Sequence, residues 1–246
     1  MFLLALGFLL TAALYASVGF AGGSTYTALL WLWKVDYRLL PPLSLLCNAI
    51  VATGGTIRFA RAGLIPWRRV LPLVTVSAPL ALLGGLTPIK EAHFLALLGA
   101  SLLVAGLLLL FQRERAETSR VRAGRPSDAA IGGAVGYLSG VVGIGGGIFL
   151  APILHLTRWG RAREIAATAS LFILVNSIAG LIGQFAKLGT GGAARLLDWW
   201  PLFAAVLIGG QIGSHAGIKL LPPVAVRRAT ALLILYVAAQ LLWRSI

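Results

Sequence analysis

Leu138-Ser139-Gly140-Val141-Val142-Gly143-Ile144-Gly145-Gly146-Gly147-Ile148-Phe149-Leu150-Ala151-Pro152 is the stretch whose reading decides the fold. Apolar residues flank it on both sides. Each glycine weakens a helix by about 1 kcal/mol relative to alanine. The run therefore predicts a helix that breaks at Gly143–Gly147, with a second helix starting at Gly146–Gly147 or just beyond. A restarted helix presents free N–H groups and the positive end of its dipole. Inside a membrane, such a break can hold an anion.

A weaker copy lies earlier in the chain. Val18-Gly19-Phe20-Ala21-Gly22-Gly23 matches Val142-Gly143-Ile144-Gly145-Gly146-Gly147 position for position. Downstream, Asn48 with Gly55 corresponds to Asn176 with Gly183. Phe59-Ala60-Arg61-Ala62-Gly63 corresponds to Phe185-Ala186-Lys187-Leu188-Gly189, and Gly84 falls opposite Gly213. Two copies of one unit in a membrane chain point to a transporter.

The chain has 246 residues, 59% of them hydrophobic and 11% charged, with a mean hydropathy of +0.91. Soluble domains are about 25% charged, so the chain is read as an all-α integral membrane protein. The net charge of +14 would suggest nucleic acid in a soluble protein. Here the bases sit between apolar runs, where a bilayer with anionic headgroups accounts for them. Nucleic acid is not an expected partner. Cys47 is the sole cysteine, so it forms no internal disulfide and reads as packing. Met1 to Ala21 lacks a basic n-region, and its glycine end recurs in the second copy. It is read as retained rather than as a signal peptide.

Phe2 to Trp33 and Asp128 to Thr157 are each long for one span and short for two. Each is cut by its glycines. The expected geometry is a re-entrant hairpin of two half-helices; the alternative is eight full spans. Ordinary spans are expected at Leu39–Ile57, Val70–Leu86 and Ala92–Phe111, then at Glu164–Ala186, Leu196–His215 and Val224–Trp243. Pro72 and Pro79 are expected to kink their span. The predicted division is a first repeat at 1–111, a basic cytoplasmic linker at 112–127 and a second repeat at 128–246. With re-entrant hairpins, the 21 lysines and arginines divide 15 to 6 between the two faces; with full crossings the division is about 12 to 9. The uneven division follows the positive-inside rule. It makes the two repeats inverted, with both termini outside.

The motif Gly140 to Gly147 followed by Pro152 resembles the glycine signature of the sulfite exporter TauE/SafE family. Glu164-Ile165-Ala166-Ala167-Thr168-Ala169-Ser170 resembles that family's second signature, with an alanine inserted between Thr168 and Ser170. Gly19 to Gly23, Asn48 and Arg61-Ala62-Gly63 resemble its N-terminal half. The resemblance implies a multi-pass permease of the bacterial inner membrane for small anions, often sulfur oxyanions or organosulfonates.

The candidate substrate site comprises Gly22, Gly23, Ser24, Thr25, Asn48, Gly145, Gly146, Gly147, Ser170 and Asn176. For the glycines, the plainer reading is close helix packing. For the asparagines it is an interhelical hydrogen bond; the functional one is an anion donor or a clamp on broken backbone. Ser24 and Thr25 also read as N-caps. Ser44, Ser170 and Ser177 read as polar lining or as back-bonds to their own helices. Arg58 reads as snorkelling to the headgroups, or as guiding anions at the pore mouth. His93, His155 and His215 share no metal-ligand spacing, and no nucleophile–base pair or P-loop is present. Every carboxylate lies at a loop or span end, and Glu164 reads as stabilising its helix start. No catalytic residue, metal or cofactor is assigned. The reading is a secondary transporter for a small sulfur-containing anion. An anion channel, an intramembrane enzyme and a structural membrane subunit are the other classes weighed.

Overall fold

The computed structural model describes residues 1–17, 19–111, 126–216 and 223–245. Among them all regular structure is helical. The first half holds α1 (Phe2–Ser17), α2 (Gly23–Leu32), α3 (Leu40–Arg61), α4 (Trp67–Leu86) and α5 (Glu91–Phe111). The second holds α6 (Pro126–Val142), α7 (Gly147–Leu156), α8 (Ala162–Leu197), α9 (Trp200–Ala216) and α10 (Pro223–Ser245). The linker expected at 112–127 lies outside the described residues up to 125.

Both predicted breaks are present. α1 and α2 are separated at Gly19–Gly22, and α6 and α7 at Gly143–Gly146. Gly22 and Gly146 take the N-cap positions with φ of +92° and +77°, a conformation that disfavours any residue with a Cβ. At 1.5 Å per residue, the ten residues of α2 or α7 reach about 15 Å, half of a hydrocarbon core.

The backbone repeats itself at both ends of these short helices. Trp33 donates to Leu29, Lys34 to Trp31 and Val35 to Leu30; Thr157, Arg158 and Trp159 donate to Ile153, His155 and Leu154 in the same pattern. Lys34 and Arg158 share a left-handed conformation, with φ of 57° and 53°. Packing follows the same exchange. α1 lies along α9 and α6 along α4, while α3 pairs with α8 and α5 with α10. Small residues allow the close approaches: a Cβ on Gly140 would collide with the Ala81 carbonyl, and one on Gly213 with that of Ala13. In lipid such backbone proximity supplies much of the association energy.

The surface is apolar. Leu83 and Leu86 on α4, Ile178 and Ile182 on α8, and Leu207, Ile208 and Ile212 on α9 are exposed, while Asn48, Ser139, Asn176 and Gln184 are buried. Large exposed apolar area around a polar interior marks a protein solvated by lipid. α3, α4, Glu91–Leu108 of α5 and Ala162–Leu188 of α8 are each long and apolar enough to cross a bilayer. The described apolar parts of α9 and α10, Trp200–Ser214 and Ala231–Trp243, are shorter.

One expectation needs correction. α8 was expected to end at Ala186 and instead continues to Leu197. Gly63 ends the matching region of α3 with φ +66°, but Gly189 stays inside α8. An isolated glycine weakens a helix without ending it. Pro72 and Pro79 both lie inside the one helix α4.

Candidate functional site

The two breaks meet inside the bundle. A Cβ on Gly23 would collide with the Ile144 carbonyl oxygen of the other break, and one on Gly147 would stand 3.7 Å from Phe20. The N-terminal ends of α2 and α7 thus lie against opposite breaks. Thr25 and Tyr26 both donate to the Gly22 carbonyl at 3.0 Å; Phe149 and Leu150 donate to Gly146 at 3.1 and 3.0 Å. Among the described residues, the N–H groups of Gly23, Ser24, Gly147 and Ile148 have no backbone acceptor, as the geometry of a helix start requires.

Asn48 is the side chain that addresses both breaks. It is fully buried, and its Nδ2 donates to the Ile144 carbonyl at 3.2 Å. Its Oδ1 has no partner and lies 2.9 Å from where a Cβ on Gly23 would stand. A Cβ on Gly145 would stand 2.7 Å from the same Nδ2. Around α2, the Gly23 carbonyl accepts from Thr27 at 2.9 Å and from Ser44 at 3.0 Å. The Tyr15 and Thr25 hydroxyls are 3.2 Å apart, and Tyr26 stacks on Phe8 at 4.7 Å.

Around α7 the lining is different. A Cβ on Gly147 would collide with Ile173, and one on Gly146 would stand 2.8 Å from Phe172 and 3.0 Å from Val135. The polar group nearby is Ser139, whose Cβ is 3.5 Å from that same position. It is fully buried, and its hydroxyl has no partner.

The structure therefore brings Gly22, Gly23, Asn48, Gly145, Gly146 and Gly147 together, with Ser24 and Thr25 buried in the first turn of α2. Neither Ser24 nor Thr25 is an N-cap, contrary to expectation. Gly22 holds that position without a side-chain cap, because the left-handed turn places a glycine there. Ser170 is elsewhere, on the α3–α8 contact: its hydroxyl is 3.2 Å from that of Thr56 and donates to Ala52 at 3.4 Å. Asn176 donates to Phe172 of its own helix at 2.9 Å. Ser44 bonds across to α2, and Ser177 has no partner.

The correspondence of Asn48 with Asn176 is not kept in three dimensions. A Cβ on Gly55 would meet Ser170 Oγ at 2.7 Å; the reciprocal contact is from Gly180 to Leu45 at 3.2 Å. Gly180 thus answers to Gly55, and Ile173 answers to Asn48. Both Asn48 and Ile173 stand against the glycine that opens a half-helix. Asn-x6-Gly recurs at 48–55 and at 176–183, but α8 carries glycines at both 180 and 183. The sequence match selects the wrong one. Three residues rotate a helical position by about 300° and move it about 4.5 Å.

At the far end of α7, Arg69 stacks its guanidinium 4.0 Å over the Trp159 ring and donates to the Trp159 carbonyl. Trp159 Nε1 donates to Asp128 at 3.1 Å. The Glu164 carboxylate accepts from the Arg161 N–H at 3.2 Å, as expected of a helix start. Among the described residues no cluster of histidine, cysteine and carboxylates could hold a metal. The side chain of His215 lies outside the described residues.

A lipid-type exterior over a core where two half-helices abut defines a multi-pass helical membrane protein. Residues 3–241 match the family described as "Sulfite exporter TauE/SafE", and the chain belongs to that family of membrane transporters. It is 34% identical over 244 residues to "Probable membrane transporter protein y4hK" of Sinorhizobium fredii, covering 98% of this chain and 97% of the relative. It is 25% identical over 174 residues to "Probable membrane transporter protein YunE" of Bacillus subtilis, covering 71% of this chain and 58% of that protein. No solved structure matches.

Proposed function

We propose that this protein is a secondary permease for a small sulfur-containing anion in the bacterial inner membrane. The observation that carries this is the meeting of the α2 and α7 N-termini at Asn48. Helix starts inside a bilayer are donors for an anion, and substrate sites of duplicated transporters lie where repeats meet. The name of the family supports the sulfur chemistry. The repeats are inverted, each a re-entrant hairpin followed by three spans, and the face bearing 15 of the 21 bases is cytoplasmic. In the described conformation the breaks press together, so transport requires them to part.

Proteoliposomes holding the purified chain test this. Uptake of at least one of sulfite, sulfate, thiosulfate, sulfoacetate or taurine is expected without ATP. Correctly oriented protein that moves none of them down any gradient overturns the permease reading. Cysteine labelling tests the inversion, with the 113–125 linker expected in the cytoplasm and the C-terminus outside. Labelling of both from one side overturns it.

A further inference from the structure

We infer that the permease takes its ligand as a singly charged oxyanion that still carries an acidic hydrogen, and that the Asn48 carboxamide reads that hydrogen. This rests on the proposed function and deepens it.

The first argument is charge. Each helix N-terminus acts as about half an elementary positive charge. Two of them, from α2 and α7, balance about one negative charge. The buried polar side chains among the described residues are serines, threonines, asparagines and a glutamine, all neutral. Nothing at the breaks would balance a second negative charge, and an unbalanced buried charge is strongly disfavoured.

The second argument is hydrogen bonding. Asn48 is fully buried. Its Nδ2 is bonded to the Ile144 carbonyl at 3.2 Å; both amide atoms lie beside the start of α2, Nδ2 the nearer, and Oδ1 has no donor there. A bare oxyanion offers only acceptors, so its lone pairs would oppose that oxygen. An anion with one O–H supplies the missing donor. Once the breaks part, the amide presents a donor and an acceptor side by side, which pairs with an oxygen and an O–H on one ligand atom. Ile173, which answers to Asn48 in the second repeat, offers neither. Ser139 adds an unpartnered hydroxyl near the start of α7.

The proton belongs to the ligand. The titratable side chains on elements packed around Asn48 are Cys47, Arg58 and Arg61 on α3, Tyr15 on α1 and Tyr26 on α2. Asp128 on α6, His155 on α7, and Arg163, Glu164 and Arg195 on α8 lie toward helix ends, while Tyr137 on α6 is exposed and Lys187 on α8 donates to the Thr87 carbonyl.

The test uses the full chain in proteoliposomes, with protein-free liposomes subtracted. Total sulfite is held constant while pH, equal on both sides, is raised through neutrality, so that the hydrogensulfite share falls. Methanesulfonate (singly charged, no acidic hydrogen) and sulfate (doubly charged) are the comparison probes. Sulfite uptake is expected to fall several-fold in step with hydrogensulfite. Methanesulfonate should move more slowly with no pH slope, and sulfate should not move. Asn48→Leu should flatten the sulfite slope and bring sulfite and methanesulfonate to similar rates. Sulfite uptake that is level or rises with pH, or sulfate moving as fast as sulfite, overturns the inference and leaves the permease standing. An unchanged slope in Asn48→Leu overturns the role of Asn48. Should that variant fail to fold, the wild-type pH and probe series decides alone. Wild type that moves none of these probes but takes up thiosulfate, sulfoacetate or taurine overturns the inference and leaves the permease standing; wild type that moves none of these anions overturns both.

Discussion

The two breaks share a backbone and differ in what surrounds it. Both use a left-handed glycine as N-cap, and both draw two N–H groups onto that glycine's carbonyl. Around α2 the neighbours are Asn48, Ser44, Thr27 and the Tyr15–Thr25 pair. Around α7 they are Phe172, Ile173 and Val135, with Ser139 the polar neighbour from its own half and Asn48 reaching Gly145 from the other. A duplicated backbone keeps its hydrogen-bond geometry because helix starts and left-handed turns have few alternatives. Side chains at equivalent places have no such constraint. Here one repeat supplies the polar wall and the other an apolar one.

The largest effect that sharpens this contrast comes from the paired glycines. Gly23→Ala forces a Cβ onto a backbone carbonyl and the Asn48 amide, whereas Gly147→Ala meets the movable end of Ile173. The first should destabilise by about 3 kcal/mol and the second by about 1 kcal/mol. Thermal unfolding in detergent reads this as a lower Tm for Gly23→Ala. Equal shifts would erase the difference between the breaks.

Next come the asparagines. Asn48→Ala removes a bond from the first half to the second break, at about 1–2 kcal/mol in a membrane setting. Asn176→Ala removes a bond within one helix and should cost about 0.5 kcal/mol. On the proposed function, anion affinity should fall about tenfold for Asn48→Ala and change little for Asn176→Ala. Isotope uptake against anion concentration gives both values. A larger loss at Asn176 would restore the sequence correspondence and break the structural one.

The far ends of α2 and α7 offer a third comparison. Trp159 is clasped by Arg69 and Asp128, while Val35 at the matching place offers no indole for such a clasp. Arg69→Ala should lower stability by about 1–2 kcal/mol, and Val35→Ala by a similar or smaller amount through lost packing alone. High salt should narrow the gap between Arg69→Ala and wild type while leaving the Val35→Ala gap in place.

The smallest effect is at Ser170. Ser170→Ala loses the contact with Thr56 and should cost less than about 1 kcal/mol, with anion affinity unchanged. A tenfold loss of affinity would move the site toward the α3–α8 contact.

Much of the fold was legible in the chain. Glycine runs inside apolar segments placed both breaks to within a residue or two, since the penalty for helical glycine is local. Hydropathy placed α3, α4 and α5 within a few residues of their observed bounds, with α9 and α10 close behind. The end of α8 was misplaced because Lys187 and Gly189 weaken a membrane helix without stopping it. Of the candidate site, the glycines and Asn48 were legible as a group. Ser170 and Asn176 were grouped with them only by motif and apparent symmetry.

The sequence by itself determined that this is a helical membrane protein with two apolar segments, each cut by a glycine break. Those properties follow from solvent preference and from backbone sterics, which act over a few residues. The tertiary structure alone decided that the breaks touch, that Asn48 bonds the Ile144 carbonyl 96 positions away, and that Ile173 stands against Gly147 as Asn48 stands against Gly23. That acceptor is a main-chain oxygen freed by a distant break, and no residue type announces it. Which helical face meets which is settled by packing over the whole α3–α8 contact. Two glycines three residues apart fit a sequence pattern equally well, but only one of them fits the neighbouring helix.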